Sequence, residues 1–160
     1  MNTSALLEGL RFIDTFFPSG GYAFSSGLEA AVQGGAVKTS DQLAEYIEDL
    51  LRGGMSRREA LATKRANRAG AAGQISVALA IDRTLEAAKL SRASRLASRQ
   101  MGRQVIRVAA DQIRGKPILA AYCDEVEAAR APGHLAITFG LTLGAAGWSQ
   151  EDTAAAFLYQ

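Results

Sequence analysis

The residues that could do chemistry here are few. The chain of 160 residues has one histidine, His134, and one cysteine, Cys123. Acid–base or nucleophilic catalysis needs such a group paired with a second that activates or orients it. No Ser/His/Asp set can be assembled from the spacing. His134 follows Pro132-Gly133 at a helix start beside an apolar run, where a lone histidine reads as a structural residue. A dedicated metal cage needs several converging ligands. Cys123 and His134 stand eleven positions apart, with only Asp124 and Glu125 nearby. Imidazole and thiolate both bind transition metals, so a passing metal contact at His134 or Cys123 stays open. This inventory predicts no enzyme and no resident cofactor.

Two other patterns need weighing. Pro18-Ser19-Gly20-Gly21 has the look of a phosphate loop, but it lacks the P-loop lysine and no strand precedes it. A helix–loop–helix corner, where glycine permits positive φ, explains it better. Tyr22 and Phe24 beside it either anchor the loop in the core or face a partner. The second pattern is basic: Arg92, Arg95, Arg99, Arg103 and Arg107 are spaced 3, 4, 4 and 4. On a helix they form one stripe, and like charges four residues apart repel by about a few tenths of a kcal/mol. Acids elsewhere in the fold, or on a partner, must offset that. A solvated face with internal partners and a docking face for an acidic surface are both open. Nucleic acid is the weaker option, since no aromatics interleave the stripe for base stacking.

The elements that must position these residues read as helices nearly throughout. Leu6, Leu10, Ile13 and Phe17 share one helical face, stopped by Pro18 and the glycines. Ser26 and Glu29 spell a capping box for a second helix, ended by Gly34-Gly35. Thr39 and Gln42 spell another, opening a third helix with Leu43, Ile47, Leu50 and Leu51 on its buried face and Gly53-Gly54 closing it. Ser56 and Glu59 cap a fourth, ending near Gly70. Helices over 75–89 and 91–113 follow, either separate or continuous. Pro117 suits the first turn of a seventh helix, lined by Leu119, Tyr122, Val126 and Ala129. An eighth runs over 135–146, and Ser149 with Asp152 opens a ninth. No stretch alternates with period two. The fold class expected is all-α, a single-domain bundle of about eight helices.

Apolar residues make up 48% and the formal net charge is +2, which fits a globular chain and by itself indicates neither nucleic acid nor disorder. One cysteine allows no internal disulfide. Residues 1–8 lack a signal-peptide pattern, and the apolar run 134–147 is too short and glycine-rich to span a bilayer. The expected location is the cytoplasm, without a membrane partner. The apolar end at Phe157-Leu158-Tyr159 reads as truncation, or else as a docking surface.

Three stretches together resemble the UreF family of urease accessory proteins. The first is Phe17-Pro18-Ser19-Gly20-Gly21-Tyr22-Ala23-Phe24-Ser25-Ser26-Gly27-Leu28-Glu29-Ala30. The second is Ser98-Arg99-Gln100-Met101-Gly102-Arg103. The third is Gly133-His134-Leu135-Ala136-Ile137-Thr138-Phe139-Gly140, followed by an alanine-rich helix and Gly147-Trp148. The resemblance implies a non-catalytic scaffold for nickel metallocentre assembly. Such a scaffold bridges a UreD/UreH-type protein and the UreG-type GTPase, influences GTP turnover and serves apo-urease. A homodimer belongs to the same implied picture. The resemblance marks Pro18, Gly20, Gly21, Tyr22, Ser26, Glu29, Arg99, Gln100, Gly102, Arg103 and His134 as partner-binding, with His134 either lining a metal path or, as favoured, capping a helix. Family members continue past the position of Tyr159 with further helices, which this 1–160 domain lacks.

Overall fold

The structure, a computed structural model, describes residues 3–14, 17–21 and 24–159. Among these residues it is all-helical, without a strand, as the sequence predicts. The order is α1 (Thr3–Ile13), α2 (Leu28–Gln33), α3 (Ser40–Leu50), a π-helical segment (Leu51–Ala60), α4 (Leu61–Ala72), α5 (Ile75–Ala88), α6 (Arg92–Gln112), α7 (Pro117–Glu127), α8 (Leu135–Ala146) and α9 (Gln150–Tyr159). No helix is long and apolar enough to cross a membrane among the described residues.

α8 is the axis of the fold. Its sequence is apolar on every side, the pattern of a helix wrapped by others, and every residue from Ala136 to Ala146 is buried. α4 crosses it most closely, and α6 packs on another side. The α4–α8 crossing depends on glycine. A Cβ at Gly70 would come within 2.5 Å of the Leu141 carbonyl oxygen, and one at Gly144 within 2.7 Å of the Asn67 carbonyl carbon. Neither backbone can move aside without opening the core, so only glycine lets the two helices approach this far. Asn67 then ties α4 to the α8–α9 turn, its Nδ2 donating to the Trp148 carbonyl at 3.0 Å and to Thr153 Oγ1 at 2.8 Å. Trp148 reaches the other way, its indole N–H donating to the Ala5 carbonyl of α1 at 2.8 Å.

Several helix ends form as expected. Thr39 and Gln42 make the reciprocal capping box of α3. Ser149 Oγ accepts from Asp152 N at 3.0 Å and opens α9. Ser91 caps α6, so α5 and α6 are separate helices.

Other expectations are corrected. The Ser26–Glu29 box does not form: the chain enters α2 through left-handed Ser26 (φ 54°) and Gly27, which puts Gly27 at the N-cap, and Glu29 N reaches Ser25 Oγ instead. Gly53-Gly54 does not close α3, and Ser56–Glu59 does not open a new helix. The chain runs on through the π-helical segment into α4, which ends, close to the expected Gly70, at Ala72 with left-handed Gly73 as its cap. A Cβ at Gly54 would meet the Arg58 guanidinium. The glycine thus leaves room for Arg58, whose Nη1 donates to the Ala88 carbonyl at 3.0 Å. Beside it Glu59 pairs with buried Lys89 at 2.6 Å, so the segment is clamped to the end of α5. The face of α3 expected to be buried is not: no residue of α3 is buried and Ile47 is exposed. α1 stops at Ile13 and buries Gly9 and Phe12, leaving Leu10 exposed. Ala129 lies beyond α7 with φ 56° and is exposed rather than lining that helix.

The glycine crossing yields a direct test. Gly144→Ala should lose about 2–3 kcal/mol or more in urea unfolding, as overpacking against backbone does. Gly53→Ala, where nothing lies within 4 Å, should be neutral or stabilising.

Candidate functional site

The start of α8 is buried, and a buried helix start leaves backbone N–H groups that need acceptors. His134 holds the N-cap position, yet its side chain makes no capping bond, contrary to the favoured reading. Asp82, fully buried on α5, does that work from outside the helix. Its carboxylate accepts from Gly133 N at 2.8 Å, from His134 N at 3.2 Å and from Tyr122 Oη at 2.6 Å. A carboxylate at a helix N-terminus also meets the positive end of the helix dipole. Burial, with the charge of Asp82 added, pushes the Tyr122 phenol far up, so it stays a donor. Ser98 Oγ on α6 accepts from Leu135 N at 3.3 Å.

One turn beyond Asp82, Glu86 takes up the side chains. Arg99 Nε donates to its Oε2 at 3.0 Å, and a second Arg99 nitrogen reaches Oε1. Arg95 stands 3.6 Å away. His134 Nε2 lies 2.7 Å from Oε2. Burial pushes the Glu86 carboxyl up, but Arg99 and His134 outweigh it and hold it below its ordinary value. Burial also lowers His134, more than the acids Asp82 and Glu86 raise it. The ring is therefore neutral near pH 7, and Nε2–H donates to Glu86. Nδ1 is then a bare acceptor, buried and without a hydrogen-bond partner. A proton there would be a buried unpaired charge, which is the reason the ring resists protonation.

The second and third stretches that the sequence singles out thus meet in space. A Cβ at Gly102 would fall within 2.6 Å of Leu135 N and 2.7 Å of the His134 carbonyl carbon, so this glycine lets α6 lie on the Gly133-His134 turn. The first stretch comes near the second at Gly21, where an added Cβ would stand 3.6 Å from Met101 Sδ. Of the expected site residues, Pro18, Gly20, Ser26, Glu29, Gln100 and Arg103 are exposed, and Gly21 and Arg99 are half-buried. Gly102 and His134 are buried, so they can position a surface but not present one. Tyr22 lies outside the described residues. The arginine stripe splits. Arg95 and Arg99 face Glu86, and Arg107 pairs with Glu127 at 2.6 Å. Arg92 and Arg103 are exposed.

Sequence reading missed Asp82 and Glu86. A signal existed: Ala78, Asp82 and Leu85 share one helical face, and all three are buried. An acid in an apolar stripe needs a buried partner. Cys123 is half-buried, and burial, with Glu127 and Asp124, pushes its thiol up, the reverse of an activated nucleophile. Among the described residues no three His, Cys, Asp or Glu side chains are grouped to hold a metal ion.

An all-α protein organised on one buried helix, with a polar hub at that helix's start, is what the fold and site define. The chain belongs to the UreF family, whose model matches residues 37–160. That span holds the second and third stretches; the first lies upstream of it. The chain is 35% identical over 157 residues to the urease accessory protein UreF of Methylorubrum populi, covering 95% of this chain and 67% of that one. It is 29% identical over 150 residues to UreF of Actinobacillus pleuropneumoniae, covering 94% and 66%. It is 32% identical over 142 residues to UreF 1 of Brucella melitensis, covering 88% and 57%. The chain thus spans about two thirds, or less, of the length of these curated relatives. No solved structure matches it.

The hub predicts a sign for pH dependence. The folded state holds His134 below its ordinary 6.5, so the unfolded chain binds the extra proton. That contribution to stability is full above 6.5 and is lost as pH falls below it. Glu86, depressed from 4.5, adds a loss of the same sign at lower pH. Urea midpoints should therefore fall from pH 8 to pH 5, and His134→Gln should flatten the part of that slope just below 6.5.

Proposed function

We propose that this chain is a cytoplasmic, non-catalytic scaffold in urease maturation. It bridges a UreD/UreH-type accessory protein and the UreG-type GTPase, influences that GTPase's turnover, and helps deliver nickel to apo-urease. Nickel is cargo on this reading, not a resident ion. A homodimer is compatible with the role.

The observation that carries the proposal is family membership over residues 37–160, in relatives named urease accessory proteins. The geometry supports it in one respect. The two family-like stretches on α6 and at the start of α8 converge on a buried hub, and what they leave outside is a helix face carrying Gln100 and Arg103. Such an arrangement suits holding a surface rigid for a partner. The competing reading, a nucleic-acid adaptor on the arginine stripe, loses support because Arg95, Arg99 and Arg107 already face acids of the same chain. Nucleic-acid affinity depends on neutralising many phosphates.

The test is a pull-down of the full chain with the UreD/UreH-type protein and the GTPase of the same source, with and without GTP and nickel. We expect co-elution with at least one of them, weakened severalfold by Arg103→Glu without loss of helicity. Arg99→Glu is the poorer variant, because it breaks the Glu86 pair inside the fold. Failure of this chain to bind, and of a version extended to its relatives' length, would overturn the scaffold.

A further inference from the structure

The outer face of α6 is more than a row of charges. Arg92, Leu96, Gln100 and Arg103 lie on one side of the helix at spacings of 4, 4 and 3, and all four are exposed. Leu96 is 53% exposed, and Leu90, just before the helix, is 86% exposed. Arg92 and Arg103 make no ion pair with any described residue, although Arg103 acts on Glu127 at longer range, whereas Arg95 and Arg99 share Glu86 and Arg107 pairs with Glu127. The face therefore offers an apolar side chain between two guanidinium groups that hold no ion pair, about 16 Å apart along the axis at 1.5 Å per residue.

We infer that this face docks an acidic amphipathic helix of a partner protein, whose apolar ridge packs on Leu96 and whose carboxylates pair with Arg92 and Arg103. Three turns of a partner helix match the spacing, and guanidinium groups favour planar carboxylates, which they can grip with two bonds. Nucleic acid suits the face poorly: two cations neutralise few phosphates, and Leu96 gains nothing from a phosphate backbone. A second copy of this chain could bring its acidic α3, with Asp41, Glu45, Glu48 and Asp49. On an α-helix, however, those acids fall on the side away from Leu43, Ile47 and Leu50, so α3 offers charge without the ridge. The inference deepens the scaffold reading by giving one partner's chemistry, and rests on that reading only for which protein supplies the helix.

The experiment uses the full chain and a fluorescein-labelled helical peptide of about five turns, leucines on one face and glutamates flanking them, read by fluorescence anisotropy. We expect saturable binding, weakened at least about tenfold by the pair Arg92→Glu and Arg103→Glu, and severalfold by Leu96→Asn. All three positions are exposed, so circular dichroism and melting temperature should match wild type. Affinity within about twofold of wild type in the charge-reversed variant would overturn the inference. So would tighter binding of a DNA duplex of equal length, or self-association of the chain abolished by R92E/R103E, which would make the occupant a second copy. The assay contains no urease protein, so its failure condemns the partner chemistry alone, while the pull-down judges the scaffold.

Discussion

The rest of the structure depends on satisfying the buried start of α8. A helix can lie at the centre of a small protein only if its side chains are apolar all round and its terminal backbone groups find partners. α8 meets the first condition by composition. It meets the second through Asp82, which accepts from two backbone amides at the Gly133-His134 turn and from Tyr122. One carboxylate thereby joins α5, α7 and the start of α8. Glu86, one turn on, joins the same turn to α6 through Arg99 and His134. The glycines follow from the same demand. Gly102 lets α6 lie on the turn, and Gly70 and Gly144 let α4 lie along the helix.

This arrangement explains why family-like residues can be invisible from outside. His134 and Gly102 are buried, and Arg99 is half spent on Glu86. They fix where α6 runs and which of its residues face outward. The charge on that face is smaller than the sequence implies, because three of its arginines are paired within the chain. What remains is sparse charge with exposed leucine, a surface better suited to a protein helix than to a polyanion.

Much of the fold was legible in the sequence where local rules and tertiary demands agree. The Thr39–Gln42 box, the Ser149 cap, Pro117 opening α7 and α8 over Leu135–Ala146 all form where the residues place them. Reading failed where a distant contact overrides a local signal. Gly53-Gly54 looks like a stop, but Arg58 and Glu59 are anchored on the end of α5 and hold the helix through it. Ser26 looks like a cap, but a left-handed entry moves that position to Gly27. Leu43 and Ile47 have the spacing of a buried face, yet periodicity records amphipathicity and not whether anything covers it. The site was half legible. The family-like stretches were visible, but the acids that join them sit on α5, where an isolated Asp reads as solvated.

Asp82 holds the start of the buried helix, and the urea unfolding free energy of Asp82→Ala at pH 7 measures that hold. That change strands the Tyr122 hydroxyl and two backbone amides, each worth about 1–3 kcal/mol when buried without an acceptor. We expect a loss of at least about 3 kcal/mol, or a chain that does not fold. A variant within about 1 kcal/mol of wild type would contradict it.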